Sequence, residues 1–406
     1  MQKVITDIEI IKNVISSFAR TTDEIFTLEE LKKALSSGKQ LKIKYGVDVT
    51  APNMHIGHAV NLWMMRQLQE LGHKVIFLIG DFTTQIGDPT GKSKTRPIIP
   101  IEEINQNAEK FIQQATMVLH DDPDLMEIRK NSEWLDKMPT KEFLKLLTHI
   151  THSRLMSREM FRKRLKDGDD IYMHETTYPI LQGYDSVALK SDLTIVGSDQ
   201  LYNEMIGRFY QEKFEQQPQI IITTKITPGI DGKEKQSKSL GNYIGLDHSP
   251  KEKFGRVMSI PDNLIVQYLE VYTLVSTEEI EKIRRIIDKD PMTCKLFLAK
   301  EIVKKYHGDT IAESEAEWFR KTFSKKQAPD DAEVIHMGVN SIDAFSIIRK
   351  CMPVEDASNT QLRRLFQQSA IRIDGDVISD INHSISILPQ GVGVKIGKRK
   401  WFRVLF

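Results

Sequence analysis

Cysteine is almost missing from this chain: Cys294 and Cys351 are the only two in 406 residues. Two thiols this far apart offer neither a disulfide framework nor a thiolate zinc site, so both are expected to be buried structural thiols. No uninterrupted apolar stretch is long enough to cross a bilayer. The opening Met1-Gln2-Lys3-Val4-Ile5-Thr6-Asp7 also lacks the apolar run after basic residues that a secretory signal needs. The expected location is therefore the cytoplasm, with no membrane partner. Net charge is nearly absent too: 57 basic against 56 acidic side chains leave +1, which is no signature of a nucleic-acid binder. Two local clusters depart from that average, Leu362-Arg363-Arg364-Leu365 and Gly397-Lys398-Arg399-Lys400-Trp401-Phe402-Arg403. Basic residues interleaved with aromatics suit RNA, although such clusters are more often solvated surface.

What is present describes an ordinary globular chain. Hydrophobic residues make up 40% and charged residues 28%, enough to pack a core. The length exceeds one compact core of usual size, so a large domain with smaller attachments is expected. Residues 1–35 read as a helical lead-in, with Ile8, Ile11, Val14, Ile15 and Phe18 at helical spacing and a capped second start at Thr27-Leu28-Glu29-Glu30. Leu41 to Asp48 alternate like a strand. The following helix places Val60, Trp63, Met64, Gln67, Leu68 and Leu71 on one face and stops at Gly72. Lys74 to Asp81 then form the apolar run of a strand covered on both faces. Strand, helix and strand at this spacing make a βαβ unit and predict an α/β, Rossmann-type doubly wound parallel sheet over 36–255. Residues 101–170, helical and charged, read as an insertion in it. The sheet resumes at Ser191–Asp199 and Gln219–Thr224. An α-helical domain is expected over 256–330, ending in the linker-like Gln327-Ala328-Pro329-Asp330-Asp331. A small module fills 331–406, with a basic helix at Asn359–Gln368 and an Asp-Gly hairpin within Ala370–Val377.

Two constellations carry chemistry. His55-Ile56-Gly57-His58 opens the helix after the first strand, where backbone N–H groups attract phosphate, Gly57 leaves room for a nucleotide and each imidazole can donate to phosphate oxygens. Far downstream, Lys235-Gln236-Ser237-Lys238-Ser239 sets two lysines three apart in a Gly-flanked loop that can close on β- and γ-phosphates. Either alone is weak, since short motifs recur by chance and charged loops are commonly solvated. Together, in this order, they resemble the two signatures of class I aminoacyl-tRNA synthetases.

Further matches narrow the resemblance. Gly46-Val47-Asp48-Val49-Thr50-Ala51-Pro52, Phe77 to Thr83, Ile86-Gly87-Asp88-Pro89-Thr90-Gly91-Lys92, Tyr178 to Asp185, Gly197-Ser198-Asp199-Gln200 and Leu240 to Ile244 are similar, in sequence and order, to the bacterial tyrosyl-tRNA synthetase family. The final module is similar to that family's S4-type RNA-binding domain, a small α+β fold. The resemblance implies a two-step reaction, amino-acid activation by ATP and transfer to tRNA. It assigns His55, His58, Lys92, Arg96, Lys235 and Lys238 to the transferred charge. Asp48, Thr50, Gly57, Gly197 and Asp199 fall to ATP. Lys44, Asp88, Tyr178, Gln182, Asp185 and Gln200 fall to the amino acid, with Asp185 as phenol acceptor. The basic residues Arg363, Arg364, Lys398, Arg399 and Lys400 fall to tRNA. L-Tyrosine, Mg2+ accompanying ATP, no structural metal and a homodimer are implied in the same way.

The chain departs from the family pattern at four positions. Lys44 stands where the best-known branch has a tyrosine beside the phenol, Val49 where proline is usual, Val196 where a glycine is usual, and Gln236 where methionine is usual. A diverged paralogue using another amino acid or acceptor, and an inactive synthetase-like RNA-binding protein, therefore stand as alternatives.

Overall fold

The computed structural model describes residues 3–89, 99–238, 240–324, 332–353, 357–387, 391–397 and 400–406. Lys92, Arg96, Ser239, the linker-like 327–331, Lys398 and Arg399 lie outside the described residues. The chain forms two compact units that part between Lys305 and Tyr306.

The first unit is built on a six-stranded sheet. Its strands are β1 (Thr22–Phe26), β2 (Lys42–Val47), β3 (Lys74–Ile79), β4 (Met126–Lys130), β5 (Leu193–Gly197) and β6 (Ile220–Thr224). The spatial order is β1-β6-β5-β2-β3-β4. β1 runs antiparallel to β6, and every other pair is parallel. The chain grows outward from β2 through β3 to β4, then returns to β5 on the other side of β2. The order reverses at the β2/β5 junction, and such a reversal opens a crevice at the carboxyl ends of the strands.

Two strands correct the sequence reading. Residues 1–35 are not wholly helical, because β1 lies between helices Ile8–Phe18 and Leu28–Leu35 and closes one sheet edge. Residues 101–170 are likewise not only a helical insertion, since β4 closes the opposite edge. Both segments, Thr-Asp-Glu-Ile-Phe and Met-Glu-Ile-Arg-Lys, are short and half polar. An edge strand covered on one side needs little apolar content, so periodicity gives it no clear mark. β2 differs in the opposite sense: Ile43, Lys44 and Tyr45 are all buried, so the expected alternation is replaced by a strand covered on both faces.

The helix Ile56–Glu70 ends as its sequence indicates, with Gly72 at φ +91° just beyond it. Helices Met173–Leu189 and Leu201–Lys213 cross closely because glycines face each other's partners. A Cβ at Gly183 would sit 2.8 Å from Ile206 Cγ2, and one at Gly207 would sit 2.7 Å from Ser186 Oγ. Real side chains do not approach that closely, so these two glycines set the helix separation.

The second unit contains β7 (Glu333–His336), β8 (Ser341–Asp343), β9 (Ile371–Ile373), β10 (Asp376–Val377), β11 (Ser384–Ser386), β12 (Val392–Ile396) and β13 (Lys400–Leu405). They form a five-stranded sheet, β10-β9-β12-β13-β7, and a β11-β8 pair. Helix Asp309–Phe319 opens the unit, and helices Ala344–Cys351 and Asn359–Gln367 pack with the strands around a core that includes Ile347, Ile348, Leu362, Phe366, Ile371 and Val394. The expected hairpin is present, with Ile373 paired to Asp376 and positive φ at Asp374 and Gly375.

Candidate active site

A cavity of about 720 Å³ opens at the carboxyl ends of the parallel strands, lined by Lys44 to Val47 of β2 with Asp48 just beyond it, by Val196 and Gly197 of β5, and by Thr224 of β6. At one end lies the start of helix Ile56–Glu70. His55 is its N-cap: Nδ1 of His55 accepts from Gly57 N at 3.2 Å, and Nδ1 of His58 accepts from His55 N at 3.2 Å. A neutral imidazole that accepts through Nδ1 carries its proton on Nε2. Both rings therefore keep an Nε2–H donor. Removal from water holds both imidazoles below the ordinary histidine range, His58 at about 3, and the positive Lys238 nearby acts in the same direction. They are neutral donors across physiological pH. Gly57 has a local cause as well as the expected one, because a Cβ there would meet the His55 ring at 2.9 Å.

The lysine loop faces these donors. Ser237 N donates to Asn242 Oδ1 at 2.8 Å, and Asn242 Nδ2 donates to Asp231 Oδ2 at 2.9 Å, which fixes the loop from behind. Gln236 does the same from beneath: its amide donates to Tyr272 Oη at 2.8 Å and accepts from Ile244 N at 3.1 Å. This departure from the family's methionine thus supplies an anchor. Lys235 pairs with Asp199 at 2.7 Å. Lys238 lies 4.4 Å from the centre of the Phe111 ring and donates to Ala51 O at 3.3 Å. Burial lowers its ammonium pKa to about 8. Two cations and two neutral imidazole donors converge here, an arrangement suited to a polyphosphate.

At the other end, helix Met173–Leu189 presents Tyr178, Gln182 and Asp185 to one cavity wall, as their i, i+4, i+7 spacing predicts. Tyr178 Oη donates to Asp48 Oδ2 at 3.0 Å, and Thr83 Oγ1 donates to Asp48 Oδ1 at 2.9 Å. Asp185 is buried and accepts from Trp134 Nε1 at 2.9 Å and Asn131 Nδ2 at 3.3 Å. Burial raises its carboxyl pKa to about 7, against the opposing charge of Lys44 and those two donors. Gln200 Nε2 donates to Asp88 Oδ2 at 2.9 Å, and Asn203 Nδ2 bridges Gln182 Oε1 at 2.8 Å and Gln200 Oε1 at 3.0 Å.

The cavity thus gathers Lys44, Asp48, Thr50, His55, Gly57, His58, Asp88, Tyr178, Gln182, Asp185, Gly197, Asp199, Gln200, Lys235 and Lys238 in its walls. In the second unit Arg363, Arg364 and Lys400 are exposed, and Arg363 lies over the Phe345 ring at 5.2 Å. Lys44 is held differently from the rest. Its ammonium donates to Ser186 Oγ at 2.8 Å and pairs with both carboxylate oxygens of Glu204, at 2.8 and 3.2 Å.

Sequence reasoning missed Glu204, Trp134 and Asn131. A lone lysine inside a buried strand requires an anionic partner, and that signal alone could have prompted a search for Glu204. Trp134 and Asn131 were hidden because the end of β4 was read as part of a helical insertion.

Comparison with known proteins identifies the family. Residues 36–324 match the family model described as tRNA synthetases class I (W and Y). Tyrosine–tRNA ligase of Aquifex aeolicus is 42% identical over 384 residues, covering 95% of this chain and 96% of the relative. The chain belongs to this family. The synthetase from Carboxydothermus hydrogenoformans, also named tyrosine–tRNA ligase, is 41% identical over 98% of this chain and 97% of its own length. Among solved structures, a truncated mitochondrial tyrosyl-tRNA synthetase of Aspergillus nidulans has a TM-score of 0.61 at 24% identity, covering 77% of this chain and 94% of its own. The Archaeoglobus fulgidus tyrosyl-tRNA synthetase complexed with L-tyrosine has a TM-score of 0.57 at 20% identity, covering 76% and 98%. These two show that the synthetase fold is shared.

Proposed function

We propose that this chain activates L-tyrosine with ATP and transfers the tyrosyl group to tRNA. The observation that carries the reading is one cavity with two chemically opposite ends. Neutral and cationic donors occupy one, and a buried carboxylate acceptor, Asp185, occupies the other.

The tyrosine carboxylate attacks the α-phosphate of ATP in line, forming tyrosyl-adenylate as pyrophosphate leaves. His55 and His58 donate through Nε2–H to the phosphate oxygens, while Lys235 and Lys238 neutralise the departing pyrophosphate. Asp48 and Thr50 stand beside the triphosphate, Gly57 admits the nucleotide, and Gly197 and Asp199 take the ribose. Lys235 exchanges its Asp199 partner for phosphate as the loop closes. Asp88, Tyr178 and Gln182 cradle the tyrosine ammonium, and Gln200 orients the carboxylate. Lys92 and Arg96 belong to this reading as further cations of the first step. A terminal tRNA hydroxyl then attacks the activated carbonyl and releases AMP. Most of the acceleration is ascribed to orientation and fixed charge, with no side-chain nucleophile. Mg2+ enters with ATP, taking its ligands largely from phosphate and water.

The basic residues Arg363, Arg364, Lys398, Arg399 and Lys400 are assigned to the tRNA backbone and loops. A homodimer completes the reading, supported by the family. Light scattering tests it, with a mass of two chains expected. For the reaction, ATP–pyrophosphate exchange is measured with each of the twenty amino acids, followed by tRNA charging. Exchange driven by L-tyrosine supports the reading. Exchange driven only by another amino acid favours a paralogue, and none favours an RNA-binding protein that retains the fold.

A further inference from the structure

The ion pair between Lys44 and Glu204 is buried on both sides, each side chain being 2% exposed. Burying two charges is costly, and an apolar pair of similar volume would serve packing at least as well. Glu204 also makes more contacts than Lys44 requires. Its Oε1 accepts from Gln182 Nε2 at 3.0 Å and its Oε2 accepts from Gln219 Nε2 at 2.7 Å. The close crossing at Gly183 and Gly207 brings this carboxylate between β2 and helix Met173–Leu189. Asp185, one turn along that helix from Gln182, is also within electrostatic reach of Lys44.

We propose that Glu204 is a positioning residue of the amino-acid pocket: it holds Lys44 away from Asp185, leaving Asp185 free to accept from the ligand, and fixes the amide of Gln182. With Glu204 in place, the two charges of the pair cancel and Asp185 is the unbalanced acceptor on the pocket floor. Without it, the lysine is drawn to Asp185, the proposed phenol acceptor. The groups acting on Asp185 are Lys44 from β2, Glu204 from helix Leu201–Lys213, Trp134 and Asn131 beyond β4, and Tyr178 on its own helix. Lys44 is thus a restrained competitor of the ligand rather than a direct contact.

This role rests on the tyrosine-pocket reading above, and the test separates the two. ATP–pyrophosphate exchange with L-tyrosine is compared for the wild type, Glu204→Gln and the double variant Lys44→Met/Glu204→Gln. Glu204→Gln should raise KM for tyrosine about tenfold, the equivalent of one pKa unit, with KM for ATP little changed. Removing the lysine as well should recover most of that loss; because relief of an unpaired buried charge would restore stability too, the sign specific to positioning is that KM for tyrosine moves while KM for ATP stays level in all three proteins. A double variant as impaired as Glu204→Gln, or an unchanged KM in Glu204→Gln, overturns the proposal. A second readout needs no substrate: Trp134 donates to Asp185, so the pH dependence of its emission, taken as the difference from Trp134→Phe, follows that carboxyl. Its midpoint should fall in Glu204→Gln and rise again in the double variant. If those midpoints move as stated while the wild type shows no tyrosine-dependent exchange, the proposed function fails and this role stands. Coincident midpoints in all three proteins overturn the role.

Discussion

At the scale of single residues, the site works by fixing which groups are charged. His55 and His58 are neutral because they are removed from water and flanked by lysine, so histidine titration should leave the activation rate unchanged between pH 6 and 8. Asp185 and Lys238 do titrate in reach of that range, at about 7 and about 8. A phenol donor prefers the carboxylate and a polyphosphate prefers the ammonium. kcat/KM for tyrosine should therefore rise with pH through about 7 and fall above about 8, and a pH profile of exchange checks both limbs. The sign for stability is opposite at Asp185. The folded state holds a proton that the unfolded chain, with an ordinary carboxyl, releases, so this group's contribution falls as pH rises from about 4 to about 7. Lys44 gives the clearest single-residue stability prediction. Lys44→Met leaves Glu204 buried without its cation and should cost about 3–5 kcal/mol, measured by denaturant unfolding.

At the scale of elements, the inner strands β2, β3, β5 and β6, the helix Ile56–Glu70 and the helix bearing Tyr178, Gln182 and Asp185 were legible because apolar patterning and helical spacing leave strong marks. β1 and β4 were not, because an edge strand can be short and polar. The site followed the same division. Residues within the motifs could be picked out individually, whereas Trp134, Asn131 and Glu204 act through partners distant in sequence, and only the fold brings those together. The helix crossing at Gly183 is such a case. Gly183→Ala puts a methyl group 2.8 Å from Ile206, forces the two helices apart and should cost about 1–3 kcal/mol. Because Gln182 and Glu204 lie across that crossing, KM for tyrosine should rise in the same variant. Thermal unfolding and exchange kinetics measure the two effects separately.

At the scale of the molecule, the chain forms two units. The first gathers the cavity, and the second carries exposed Arg363, Arg364 and Lys400 on a small fold of its own. Arg363→Ala/Arg364→Ala should leave tyrosine-dependent exchange intact while weakening tRNA charging, with a salt dependence about two counterions shallower. Charging assays across a salt series check this. The central claim, that the cavity joins ATP to tyrosine, is tested most directly without tRNA. The protein is incubated with ATP and labelled L-tyrosine, and the tyrosyl-adenylate retained on it is measured beside Lys235→Ala and Lys238→Ala. The account predicts adenylate on the wild type and formation slowed by about a hundredfold in each variant. Undiminished formation in both variants, or no tyrosyl-adenylate on the wild type, would contradict it.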